Sequence, residues 1–92
     1  MAETRRRILA IVNAKGLHAR ASARFVETVE AHEAVAYVAK DGMRVDGRSI
    51  MGLMMLAASR GSTIEVETSG REAAALMEAL EALVAARFGE EA

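Results

Sequence analysis

Asn13-Ala14-Lys15-Gly16-Leu17-His18-Ala19-Arg20-Ala21-Ser22 is the junction from which the rest of the chain can be read. Before it, residues 7–12 form a short aliphatic, β-branched run that predicts a strand. Gly16 supplies a hinge, and helical spacing begins just beyond it. Ser22, Phe25, Val26 and Val29 fall on one face of a helix predicted over 19–31, with Arg20, Arg24 and Glu27 opposite. His18 is therefore expected at the mouth of that helix. Free backbone N–H groups and the positive end of the dipole favour an anion there.

Working outward, residues 34–40 predict a second strand, with Val35 and Tyr37 on one side and Ala36 and Val38 on the other. Asp41-Gly42 is a two-residue hairpin signal, and 43–46 is the returning strand. Gly47-Arg48 turns the chain. Ser49 is placed to cap a short apolar helix running from Ile50 to about Ser59, with Gly61 ending it. Residues 62–68 alternate, with Ile64 and Val66 inward. Ser69-Gly70-Arg71-Glu72 has the form of a capping box before a last helix, which carries Leu76, Met77, Leu80 and Val84 and has Gly89 as its stop. The order β-α-β-β-α-β-α predicts an α+β fold: a four-stranded, mostly antiparallel sheet with its helices on one face.

Ninety-two residues fit one small domain, 1–92. Only 3% of residues are aromatic, so the core must be aliphatic. A net charge of −1 argues against nucleic-acid binding. The absence of cysteine removes disulfides and thiolate metal sites, and fits a cytoplasmic protein. No apolar run approaches the ~18–20 residues of a membrane span. Arg5-Arg6-Arg7 before an apolar run has the outline of a signal peptide, but Asn13-Ala14-Lys15 interrupts that run too early. Nothing in the chain calls for a metal or a cofactor.

The chemistry centres on His18. A phosphoryl carrier needs a nucleophile that ionises near neutral pH, and imidazole has a reference pKa of ~6.5. The attacking nitrogen must be uncharged, and positive charge is disfavoured at a helix N-terminus. Amides of residues 19–21 can receive the phosphate oxygens. Arg20, with Arg24 one turn on, can add charge-assisted bonds and stabilise charge during transfer. His32 lies just past the helix, where a histidine interacts well with the dipole's negative end, and it is assigned no function.

Gly16-Leu17-His18-Ala19-Arg20, followed farther along by Ser49-Ile50-Met51-Gly52, resembles the HPr phosphocarrier family of the bacterial phosphotransferase system. Ala21-Ser22 and Leu53-Met54-Met55-Leu56-Ala57-Ala58 look closest to alphaproteobacterial HPr or NPr-like members. The resemblance implies an open-faced β-sandwich with three helices over the sheet. It implies that His18 takes a phosphoryl group on its δ nitrogen from enzyme I, charged by phosphoenolpyruvate, and passes it to an enzyme IIA protein. Arg20 matches the arginine that contacts the phosphate. The family usually has proline after that arginine; here Ala21 stands there and restores a backbone donor. Chemistry is expected to survive, with partner affinity or transfer rate changed.

Ser49 matches the serine that HPr kinase/phosphorylase modifies in many bacteria. A phosphate at a helix N-terminus is tolerated by the fold, so its effect would fall on docking. An acidic partner surface that welcomes Arg20 and Arg48 would be repelled. Leu17, Arg24, Arg48, Ile50 and Met51 are the expected docking residues around His18, and methionine suits a surface that meets several partners. The protein is expected to be a monomeric carrier rather than an enzyme, making small, transient contacts. The alternative is a regulatory interaction protein of a nitrogen-linked phosphotransferase branch without sugar transport.

Overall fold

β1 (Glu3–Ala10) pairs antiparallel with β4 (Thr63–Gly70) along its whole length, from Glu3 opposite Gly70 to Ala10 opposite Thr63. This computed structural model describes residues 3–92. β4 also pairs antiparallel with β2 (Val35–Lys40), which pairs in turn with β3 (Met43–Asp46) across the Asp41-Gly42 turn. The result is one four-stranded antiparallel sheet, ordered β1-β4-β2-β3. α1 (Ala19–Glu30), α2 (Ile50–Met55) and α3 (Ala73–Ala85) follow the predicted order, and a short left-handed turn, Arg87–Gly89, comes last.

Alternation along the strands decides which face is covered. Leu9, Ala36, Val38, Ile64 and Val66 are buried beneath the helices. They meet Phe25 and Val29 of α1, Leu53 of α2, and Leu76 and Leu80 of α3 in one cluster. The alternate residues form the open face, where Glu67 accepts from Arg6 and from Arg44, each at 2.7 Å. The Arg44 guanidinium also lies 4.2 Å from the centroid of the Tyr37 ring. The predicted architecture is therefore the observed one.

Three local expectations fail, each for a tertiary reason. β1 starts at Glu3 rather than Arg7, because β4 offers partners along its full length and an edge strand tolerates outward arginines. α2 ends at Met55, well short of Ser59. Ala57 turns left-handed (φ 50°) and breaks the helix, which lets Leu56 and Ala58 drop into the core. The capping box does not form. Ser69 lies in β4 with its Oγ 3.1 Å from Thr4 Oγ1, and the Glu72 carboxylate accepts from the Glu33 amide at 2.6 Å. α3 begins directly after Glu72 with no side-chain cap.

Candidate functional site

The loop between β1 and α1 is held from two sides. The Leu17 amide donates to the Ala58 carbonyl at 2.9 Å. Gly16 (φ 62°) lies so close to the same carbonyl that a Cβ would fall 2.3 Å from its oxygen. Only glycine fits that left-handed, crowded position. On the other side, the buried Asn13 donates from Nδ2 to the Gly16 carbonyl at 2.9 Å.

This loop delivers His18 as the N-cap residue of α1 in extended conformation, with no side-chain capping bond. The first intrahelical bond runs from the Ser22 amide to the His18 carbonyl at 2.9 Å. Among the described residues, the amides of Ala19, Arg20 and Ala21 therefore have no hydrogen-bond partner. Ala21 is fully buried, and Ser22 donates its hydroxyl to the Leu17 carbonyl at 3.2 Å.

The His18 ring is partly open, with 28% of its side chain exposed. Its Nε2 lies 2.5 Å from Glu90 Oε2. The other oxygen of Glu90 accepts from Asn13 Nδ2 at 3.0 Å. The Asn13 hydrogen bond holds the Glu90 carboxyl below its ordinary range, against a smaller opposing effect of burial. The His18 bond, and the charges of His18 and Lys15, act in the same direction as Asn13. Glu90 is thus an ionised acceptor, and in the neutral ring Nε2 carries the proton and Nδ1 the free lone pair. Among the described residues Nδ1 has no partner.

Beside the ring is a hollow of ≈ 460 Å³, lined by Lys15, His18, Ala19, Arg20 and Glu90 among others. It brings together a nucleophilic nitrogen, the first turn of a helix and two cationic side chains. That set can receive a tetrahedral oxyanion. Arg20 makes no ion pair among the described residues, and is exposed at the rim. Glu90 and Lys15 were not among the residues expected here. Their signals are weak in sequence, since Glu90 reaches His18 across 72 positions.

The remaining expected residues divide. Ser49 is the N-cap of α2, and its Oγ accepts from the Gly52 amide at 2.9 Å. Ile50 and Met51 are exposed, Met51 at 73%. Met54 and Met55 are exposed as well, because a six-residue helix buries little more than Leu53. Met54 shares with His18 a second, shallower groove of ≈ 300 Å³. Leu17 departs from the expectation: only 5% exposed, it packs mainly in the core and offers little surface at the floor of that groove. Arg24 does not line the hollow; its guanidinium lies over Gly89, 3.2 Å from where a Cβ would be. Arg48 is exposed but turned back on Asp46, whose carboxyl accepts from the Arg48 amide at 2.8 Å. That amide bond holds Asp46 below its usual value, with the Arg48 side chain helping. His32 donates from Nδ1 to the Thr28 carbonyl at 2.8 Å, a structural role.

The Ser49 cap gives a direct expectation. Ser49→Ala will lower stability by about 1 kcal/mol. A thermal melt checks this; an unchanged melt means the cap carries no weight.

Residues 5–86 match the family model described as PTS HPr component phosphorylation site. Phosphocarrier protein HPr of Neisseria meningitidis serogroup A is 50% identical over 80 residues, covering 87% of this chain and 90% of that protein. Among solved structures, HPr-C-His from Thermoanaerobacter tengcongensis superposes with a TM-score of 0.90 at 35% identity, over 96% of this chain and 99% of that one. HPr from Bacillus anthracis does so with a TM-score of 0.83 at 37% identity, over 88% and 96%. Sequence and architecture agree along most of the chain's length: it belongs to the HPr phosphocarrier family of the phosphotransferase system.

Proposed function

We propose that His18 Nδ1 accepts a phosphoryl group from phosphorylated enzyme I and passes it to enzyme IIA proteins. The observation that carries this reading is the unpartnered Nδ1 of a ring sharing its hollow with the bare first turn of α1. Those amides, Arg20 and Lys15 receive the phosphoryl oxygens. The chain supplies a nucleophile and a docking face, while donor and acceptor supply most of the catalytic groups. It works in the cytoplasm as a monomer. In support, no helix among the described residues is long and apolar enough to cross a membrane. Ile50, Met51 and Met54 form the apolar part of the docking face, with Arg20 and Arg48 as its charged rim. A phosphate on Ser49 would place negative charge within that rim and weaken docking.

Incubation with phosphoenolpyruvate and enzyme I tests the proposal. The expected product carries one phosphate, labile in acid and stable in base, mapping to the peptide that holds His18. No label from a donor able to charge another carrier overturns it. The same assay separates the roles of two exposed side chains. Arg20→Ala will slow transfer at saturating partner by about 10–100-fold, the worth of one charge-assisted bond to the phosphate. Met51→Asp will instead raise the partner concentration needed for half-maximal rate. If both variants change only that concentration, Arg20 belongs to docking and not to the phosphate.

A further inference from the structure

We propose that Asn13 and Glu90 act as a positioning pair that locks the His18 ring in its Nε2–H tautomer and so presents the Nδ1 lone pair to a phosphoryl donor. This deepens the carrier reading and rests on it.

The geometry is specific. Glu90 divides its two oxygens, Oε2 to His18 Nε2 at 2.5 Å and Oε1 to Asn13 Nδ2 at 3.0 Å. A carboxylate pinned at both oxygens cannot swing away from the ring. Asn13 is fully buried, and its amide orientation is decided by its neighbours. Nδ2 meets the Gly16 carbonyl and the Glu90 carboxylate, and both of these only accept. Its Oδ1 is left without a partner among the described residues. The amide is thus held for its donors.

The chain end that brings Glu90 here is itself anchored. Arg87 (φ 58°), Phe88 (φ 55°) and Gly89 (φ 81°) are three left-handed residues in succession. Such backbone is unfavourable for arginine and phenylalanine and persists only where packing demands it. Phe88 is fully buried in the core, which supplies that demand. The turn then sends Glu90 toward the mouth of α1. The family match covers residues 5–86 and stops short of this turn, so Glu90 owes its assignment to contacts in this chain.

The pair matters in the transfer step. The Nδ1 lone pair forms a bond to phosphorus as the donor's bond to phosphorus breaks and its electron pair leaves with the donor. Nε2 keeps its proton throughout, so the ring becomes a phosphorylated imidazolium. Glu90 lies opposite that positive charge at hydrogen-bond distance. In the Nδ1–H tautomer the lone pair would lie on Nε2 against Glu90 instead, and the ring would have no free lone pair to offer a donor.

The test reads the ring before any phosphate is present. ¹⁵N NMR of the histidine ring, at a pH where it is neutral, gives the Nε2–H to Nδ1–H ratio in the wild-type chain, Glu90→Ala and Glu90→Gln. Alanine removes the acceptor, and the ratio is expected to fall about tenfold, the worth of one charge-assisted bond. Glutamine is expected to do worse. Asn13 still demands an oxygen, which leaves the new NH₂ facing Nε2 and favours the Nδ1–H ring. Phosphoryl acceptance should fall in the same order, in step with the remaining Nε2–H fraction. A merely structural contact would place glutamine between glutamate and alanine. The same ratio in all three chains, or a wild-type ratio in Glu90→Gln, overturns the proposal. So does a shifted tautomer with unchanged acceptance, which would leave the carrier reading intact. A wild-type chain in the Nε2–H form that accepts no phosphoryl group would sink the carrier reading, and the proposal with it.

Discussion

His18→Ala will leave a chain that folds and takes up no phosphoryl group. The fold should survive because the imidazole caps nothing: its side chain makes no capping bond, and its one hydrogen bond among the described residues is with Glu90. Glu90 keeps its second tie to Asn13, so the tail has no reason to leave. A stability change of about 1 kcal/mol or less is expected for a partly exposed side chain outside the core. Chemistry has no substitute. The other histidine, His32, has its Nδ1 committed as a donor to the Thr28 carbonyl. Arg20 and Lys15 beside the hollow are partners for the phosphoryl oxygens and not acceptors of the group. Label from enzyme I should therefore fall to background while the thermal melt barely moves. Label that persists in this variant would place the acceptor elsewhere and remove the site assignment.

The largest effect on stability is expected from Phe88→Ala. Phe88 is fully buried although it sits past the last long helix, where it closes the core cluster. Truncating a buried phenylalanine costs about 3–5 kcal/mol through lost transfer energy and the cavity left behind. A domain of this size has only ~5–15 kcal/mol in hand. At about 4–8 °C per kcal/mol the melting temperature should drop by tens of degrees. Phe88→Leu, which keeps most of the apolar volume, should lose far less. A fall below about 1 kcal/mol in Phe88→Ala would mean that the final turn is not docked in solution. The effect reaches the site as well. Below its melting temperature, Phe88→Ala should lose the Glu90 contact, which the ring-nitrogen spectrum reports directly.

Low pH acts on the same tie with a sign that can be worked out. Glu90 has a lowered folded-state value, so its contribution is present above the unfolded glutamate pKa of ~4.3. It is lost as pH falls through the lower folded value. The site should thus be fully assembled at neutral pH and come apart only in acid.

What could be read from the linear chain was whatever is written locally. The glycine hinge, the heptad-like face of α1 and the alternation around Ile64 and Val66 each encode an element within a few residues, and each element is present. His18 at the helix mouth followed from that local order. The misses are where a distant segment overrides local preference. Ser69 and Glu72 have the right spacing for a cap, but β1 and Glu33, two residues before β2, claim them first. Apolar residues past Met55 look helical, yet the backbone there is spent on holding the Gly16–Leu17 loop. Leu17 sits beside the histidine in sequence but is largely buried, because a loop residue between a strand and a helix can be drawn inward. Asn13 was visible as part of the motif, but its role depends on Glu90, and no periodicity connects residues so far apart.

The final turn has a practical consequence. Ala92 lines the same hollow as His18, whereas Glu3 lies at the far end of an eight-residue strand. An affinity tag or fluorophore attached at Ala92 would sit beside the reactive ring and crowd incoming proteins. The same appendage ahead of Glu3 would hang roughly 25 Å away, by the rise of an extended strand. Immobilised or reporter versions of this carrier should be built from the front.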